Sequence, residues 1–116
     1  MKDYRVSFEL EEKEYGAVFN LNVMEQIQEE YGSIQKWGEL TDAKSGEVNA
    51  KALIFGIWAM MNEAIDIDND ENGKNEPYLT IKQVGRIITR AGIEKSAKTL
   101  NKAVVEATKE DTPKNA

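Results

Sequence analysis

The chain contains no cysteine and no histidine. Without cysteine there is no disulfide, no thiolate nucleophile and no sulfur ligand for a soft metal. Without histidine the commonest general base and the commonest zinc ligand disappear together, and neither a Ser–His nor a Cys–His pair can be assembled. No glycine-rich phosphate loop is present either. Any catalysis would rest on Asp, Glu, Lys or Tyr alone, so the inventory points away from an enzyme and implies no cofactor. Long apolar runs are missing too. The longest, residues 52–61, is interrupted by Gly56 and is about half of what a bilayer crossing needs. The opening MKDYRVSFEL has no long apolar stretch, so no secretory leader is expected. With no cysteine to protect, a reducing cytoplasm is the expected compartment.

What is present describes one water-soluble domain. A length of 116 residues fits a single core, expected over residues 1–109. Residues 110–116 are polar, contain Pro113 and are expected to fray. Charged residues make up 31% and the hydrophobic class 41%, the usual balance for a globular protein. The net charge of −6 is unevenly spread. Residues 80–109 carry Lys82, Arg86, Arg90, Lys95, Lys98, Lys102 and Lys109 against Glu94 and Glu106, a balance of +5, so the remainder carries −11. Lys82, Arg86, Arg90, Lys95, Lys98 and Lys102 form a candidate basic face for an acidic partner; the plainer reading is two solvated helix surfaces.

Hydrophobic spacing predicts an α+β fold: an N-terminal antiparallel β-hairpin packed against four or five α-helices. Tyr4, Val6, Phe8 and Leu10 alternate, as do Tyr15, Ala17, Phe19 and Leu21, so each run has one buried face. Pairing Leu10 with Tyr15 and Phe8 with Ala17 puts both sets on one side. Asn22, with Glu25 three positions on, predicts a capped first helix over residues 23–31. Gly32 ends it, and a short helix carrying Ile34, Trp37 and Leu40 follows Ser33. A helix over residues 49–65 is apolar around most of its circumference, so it is either central to the core or covered by a partner. Residues 66–77 read as a loop. Thr80 and Gln83 predict a capping box for a fourth helix ending at Gly92. A fifth carries Ile93, Ala97, Leu100, Val104 and Ala107 on its inner side.

Three local patterns invite chemistry. Asp68-Asn69-Asp70-Glu71-Asn72-Gly73 matches the first half of a calcium loop, but Leu79 stands where the bidentate Glu belongs, so an acidic turn is the preferred reading. Arg90 to Val104 has the outline of a helix-turn-helix. Ile88 or Thr89 is too bulky for the position one turn before the glycine, and the protein is acidic overall, so nucleic acid is not the expected partner. Two stripes run along helix 49–65: Phe55, Trp58 and Met61, and Leu53, Ile57, Met60 and Ala64. One is expected to serve the core and the other a second chain. Phe55, Trp58, Met60, Met61 and Trp37 are the candidate partner-binding residues. Adjacent Met60 and Met61 point about 100° apart, so both are not expected to face one interior.

The segment FNLNVMEQIQEEYGSIQKWGELT, a strand running into a helix that breaks at Gly32 before a short segment bearing Trp37, resembles the small tail assembly chaperones of long-tailed bacteriophages and prophages. The resemblance extends over residues 4–108. It implies a non-catalytic protein of the host bacterial cytoplasm that binds the phage tape measure protein and the tail tube protein, with a homo-oligomer as an option and no membrane. The alternatives are a structural tail or head–tail connector component and a helix-turn-helix DNA-binding regulator.

Overall fold

The computed structural model describes residues 5–44 and 46–109. The expected fraying of residues 110–116 lies outside them. Two strands, β1 (Arg5–Leu10) and β2 (Lys13–Val18), form an antiparallel hairpin. Five helices follow: α1 (Leu21–Tyr31), α2 (Ile34–Thr41), α3 (Ala50–Asn72), α4 (Ile81–Ala91) and α5 (Ile93–Thr108). This is the expected α+β class.

The hairpin register differs from the expected one by two residues. Phe8 faces Tyr15 and Leu10 faces Lys13. The cause is the turn. Glu11 and Glu12 both take positive φ, 58° and 61°, which closes a two-residue loop of the type whose twist matches the strands. A slip of two preserves the faces, so Phe8, Leu10, Ala17 and Phe19 are buried as expected. Arg90, at the end of α4, holds the turn by donating through Nε to both carboxylate oxygens of Glu11, at 2.9 and 3.0 Å.

The cap of α1 is Asn20, not Asn22. The strand ends at Val18, so the helix starts earlier and Leu21, expected on the buried strand face, is 70% exposed. Asn20 Oδ1 accepts from the Val23 amide at 3.2 Å. Its Nδ2 donates to Glu63 Oε2 at 2.8 Å, and Asn22 Nδ2 donates to the same oxygen at 3.0 Å. Glu63 is buried on α3, and the two amides satisfy a carboxylate that would otherwise be costly there. Asn20→Ala loses both a cap and a donor and is expected to cost about 1–2 kcal/mol. Asn22→Ala loses one donor and should cost about half as much. Urea unfolding of the two variants checks the order; a larger loss for Asn22→Ala would contradict the assignment.

Helix α3 is two turns longer than expected. Residues 66–72 continue it, and Gly73 ends it in the left-handed conformation at φ 64°. Apolar spacing fades there, so sequence patterning alone could not carry the helix onward. It persists because the chain doubles back along it. Asn69 pairs with the backbone of Glu76, donating to its carbonyl at 3.1 Å and accepting from its amide at 2.9 Å. Asn62 does the same for Leu79 at 2.9 and 2.8 Å. The two asparagines are seven residues apart, hence on one side of the helix. Each supplies the donor and acceptor that a neighbouring strand would.

The core surrounds α3. The hairpin covers one side, and α1, α2, α4 and α5 pack around most of the rest. That enclosure buries Met60 and Met61 together, against the expectation that their 100° separation would split them. The Thr80–Gln83 capping box forms as expected. On α5, Ala97, Leu100 and Ala107 are buried, Ser96 and Ala103 join them, Val104 is half-buried, and Ile93 is 43% exposed.

Candidate functional site

Of the five candidate partner-binding residues, three belong to the interior. Trp37 is buried, stacks on Phe19 at 6.4 Å and donates from Nε1 to the Ala52 carbonyl at 3.0 Å. Met60 and Met61 are buried in the same core. None of the three offers surface to a partner in this conformation, because α3 is enclosed over most of its circumference.

Phe55 and Trp58 remain partly open. They lie with Ile54 on the arc of α3 that no element fully covers. Tyr31 of α1 meets Phe55 edge-on, with centroids 5.7 Å apart, and Phe55 meets Trp58 at 5.5 Å. Trp58 Nε1 donates to the Leu79 carbonyl at 2.9 Å. Tyr78 and Ile81, on either side of Leu79, are 54% and 43% exposed. The result is a row of rings, Tyr31–Phe55–Trp58, tied at one end to the Leu79 backbone. Offset and edge-to-face contacts of this kind hold the rings in place. The Tyr31 hydroxyl is buried without a hydrogen-bond partner. Burial, and then the charge of Glu30, push its pKa above the ordinary phenol value.

The candidate basic face divides. Lys82, Arg86 and Arg90 form one exposed line on α4, four residues apart, but Arg90 is turned to Glu11. On α5, Lys95 and Lys102 line a groove of about 490 Å³ against Ser7 and Glu9 of β1, with Glu106 at its edge. Lys98 lies round the helix beside Asp42, Lys44 and Val105. The α5 cations are therefore interleaved with carboxylates, which is unlike a continuous phosphate track.

The calcium half-motif takes no loop form. Asp68 and Asp70 sit on the helical end of α3, where side chains fan outward, and Asn72 Nδ2 donates to Asp68 Oδ1 at 2.9 Å. Among the described residues no group of three acidic side chains converges as a metal site would require. Calcium titrated to millimolar concentration should give no saturable heat and no shift in melting temperature; a micromolar site would refute this.

Sequence reasoning missed the Asn20–Glu63–Asn22 node and the Asn62 and Asn69 clamps. The seven-residue spacing of the clamps was the available signal. No helix among the described residues is long and apolar enough to cross a membrane. Comparison with protein-family models, curated proteins and solved structures found no match.

Proposed function

We propose that the protein is a tail assembly chaperone of a long-tailed phage or prophage, a non-catalytic binder of the tape measure and tail tube proteins in the host bacterial cytoplasm. The observation that carries the reading is the Phe55–Trp58 row, only partly buried on a helix that is otherwise core. Such a protein needs apolar surface to lend to an aggregation-prone partner and enough charge elsewhere to remain soluble. The partner is the one implied by the resemblance centred on residues 19–41. The sequence has no histidine and no cysteine, an inventory that favours a role in binding.

The test is co-expression with a tape measure protein of a long-tailed phage. Wild type should keep the tape measure protein soluble and co-purify with it. Phe55→Glu should lose it while remaining folded by circular dichroism. A band for this chain in purified virions would select a structural tail or connector role instead, and a salt-dependent gel shift would select the DNA-binding one.

A further inference from the structure

We propose that the outer edge of β1 takes an added strand: an extended segment of another polypeptide that alternates basic and acidic residues, with its carboxylates turned toward α5. The site uses residues of β1 and α5 and does not depend on the Phe55–Trp58 row.

The hairpin leaves that edge unsatisfied. Leu10 and Lys13 flank the tight Glu11–Glu12 loop, so they exchange both backbone bonds. Pairing then alternates. Phe8 and Tyr15 exchange bonds, whereas Glu9 and Ser7 sit opposite Glu14 and Gly16 with their amides and carbonyls turned away from β2. Among the described residues the sheet has no further strand, and no other backbone group meets these outward ones. Such a row is satisfied by an extended chain that supplies the complementary row. There is also room for one. Helix α3 packs on β2, α5 packs on β1, and the two helices touch. Packed helices lie about 8–10 Å apart and paired strands about 4.8 Å, so the helix layer is wider than the sheet by about 5 Å, one strand's width. The surplus falls at β1, where the groove of about 490 Å³ separates Ser7 and Glu9 from Lys95, Thr99 and Lys102 of α5. At β2, Ala64 of α3 lies 3.8 Å from where a Cβ on Gly16 would stand.

The lining selects the occupant. Lys95, Thr99 and Lys102 follow one another at helical spacing, so they form one stripe of α5. Neither lysine is in an ion pair among the described residues. An added strand sends alternate side chains over this stripe. Carboxylates there meet the two amines, and the small Thr99 and Ala103 leave them space. The other set of side chains stands on the exposed face beside Glu9. Glu9 already faces Glu14 directly across the hairpin, both of them exposed, and like charges so placed repel. A Lys or Arg opposite Glu9 relieves this. In antiparallel pairing, the more stable arrangement, that basic residue exchanges both backbone bonds with Glu9. A second folded copy does not fit: joined edge to edge in the same antiparallel sense, it brings its own overhanging α5 to the same place. The occupant is therefore a strand with no helix layer of its own on that side.

A short capped peptide of alternating Lys and Glu tests this by amide hydrogen exchange on the full chain. In the free protein the Ser7 and Glu9 amides should exchange quickly while those of Phe8 and Leu10 are protected, and the peptide should protect Ser7 and Glu9 as well. N-methylation of the peptide's Lys amides, which face β1, should abolish binding. N-methylation of its Glu amides should leave binding nearly unchanged. The double variant Lys95→Glu/Lys102→Glu alters two exposed positions, so it should remain folded by circular dichroism and bind the peptide about tenfold more weakly. That difference should shrink in high salt. Protection of Ser7 and Glu9 in the free protein, or protection that grows with protein concentration alone, means that the chain itself or a second copy covers the edge, and overturns the inference. Equal binding of the two methylated peptides, or equal binding by wild type and double variant, overturns it too.

Discussion

Gly56→Ala is expected to destabilise the domain by about 2 kcal/mol, although alanine is the better helix former by about 1 kcal/mol. The reason is one contact. A Cβ at residue 56 would stand 2.3 Å from Trp37 Cζ2, 3.0 Å from Cε2 and 3.1 Å from Nε1. The indole cannot easily yield. It is 2% exposed, stacked on Phe19 and bonded through Nε1 to the Ala52 carbonyl. Moving it breaks that bond inside the core, where an unpaired N–H costs about 1–3 kcal/mol. Overpacking therefore outweighs helix propensity. Gly85→Ala is the control. Its Cβ would meet only Ile54 Cδ1 at 3.6 Å, an ordinary contact, so propensity should win and the change should be neutral or stabilising by up to about 1 kcal/mol. Thermal melts of the two variants should move in opposite directions. A raised melting temperature for Gly56→Ala would mean that Trp37 is not anchored as described.

That contact also shows where sequence reading ends. Alternation gave the hairpin and its buried face, because a strand's two faces are fixed by parity. It could not give the register, because two glutamates in a left-handed turn have no strong sequence signature. Thr80 and Gln83 were legible as a capping box because both halves of the motif are local. Asn20 was not, since its second bond goes to Glu63, forty-three residues away. The last turns of α3 were hidden for the same reason. Their support comes from Asn62 and Asn69 holding a segment that the sequence presents as an acidic loop. The apolar circumference of residues 49–65 correctly announced a helix covered on several sides. It could not say that Met60 and Met61 face inward together, which depends on how four helices and a hairpin are placed around α3.

Met60→Glu should unfold the protein outright, while Phe55→Glu should not. Both residues lie on α3, and both were candidates for a partner's surface. Met60 is fully buried among the hairpin-facing and helix-facing side chains of the core. A carboxylate there lacks a partner, since the Asn20 and Asn22 amides are already committed to Glu63. An unpaired buried charge costs several kcal/mol, against a total stability of about 5–15 kcal/mol for a domain of this kind. Phe55 keeps part of its ring at the surface, so a glutamate can turn its carboxylate to water and loses mainly the ring's burial and its contacts with Tyr31 and Trp58, about 2–4 kcal/mol. Circular dichroism and urea unfolding should find Phe55→Glu folded with a lower midpoint, and Met60→Glu without a cooperative transition. If both variants unfold alike, the outer arc of α3 is as essential to the core as the inner one, and the docking face must lie elsewhere, with Lys82 and Arg86 of α4 as the next surface to probe. If Phe55→Glu stays folded and releases the tape measure protein, the two sides of one apolar helix are separated by function: Met60 holds the fold, and Phe55 is lent to the partner.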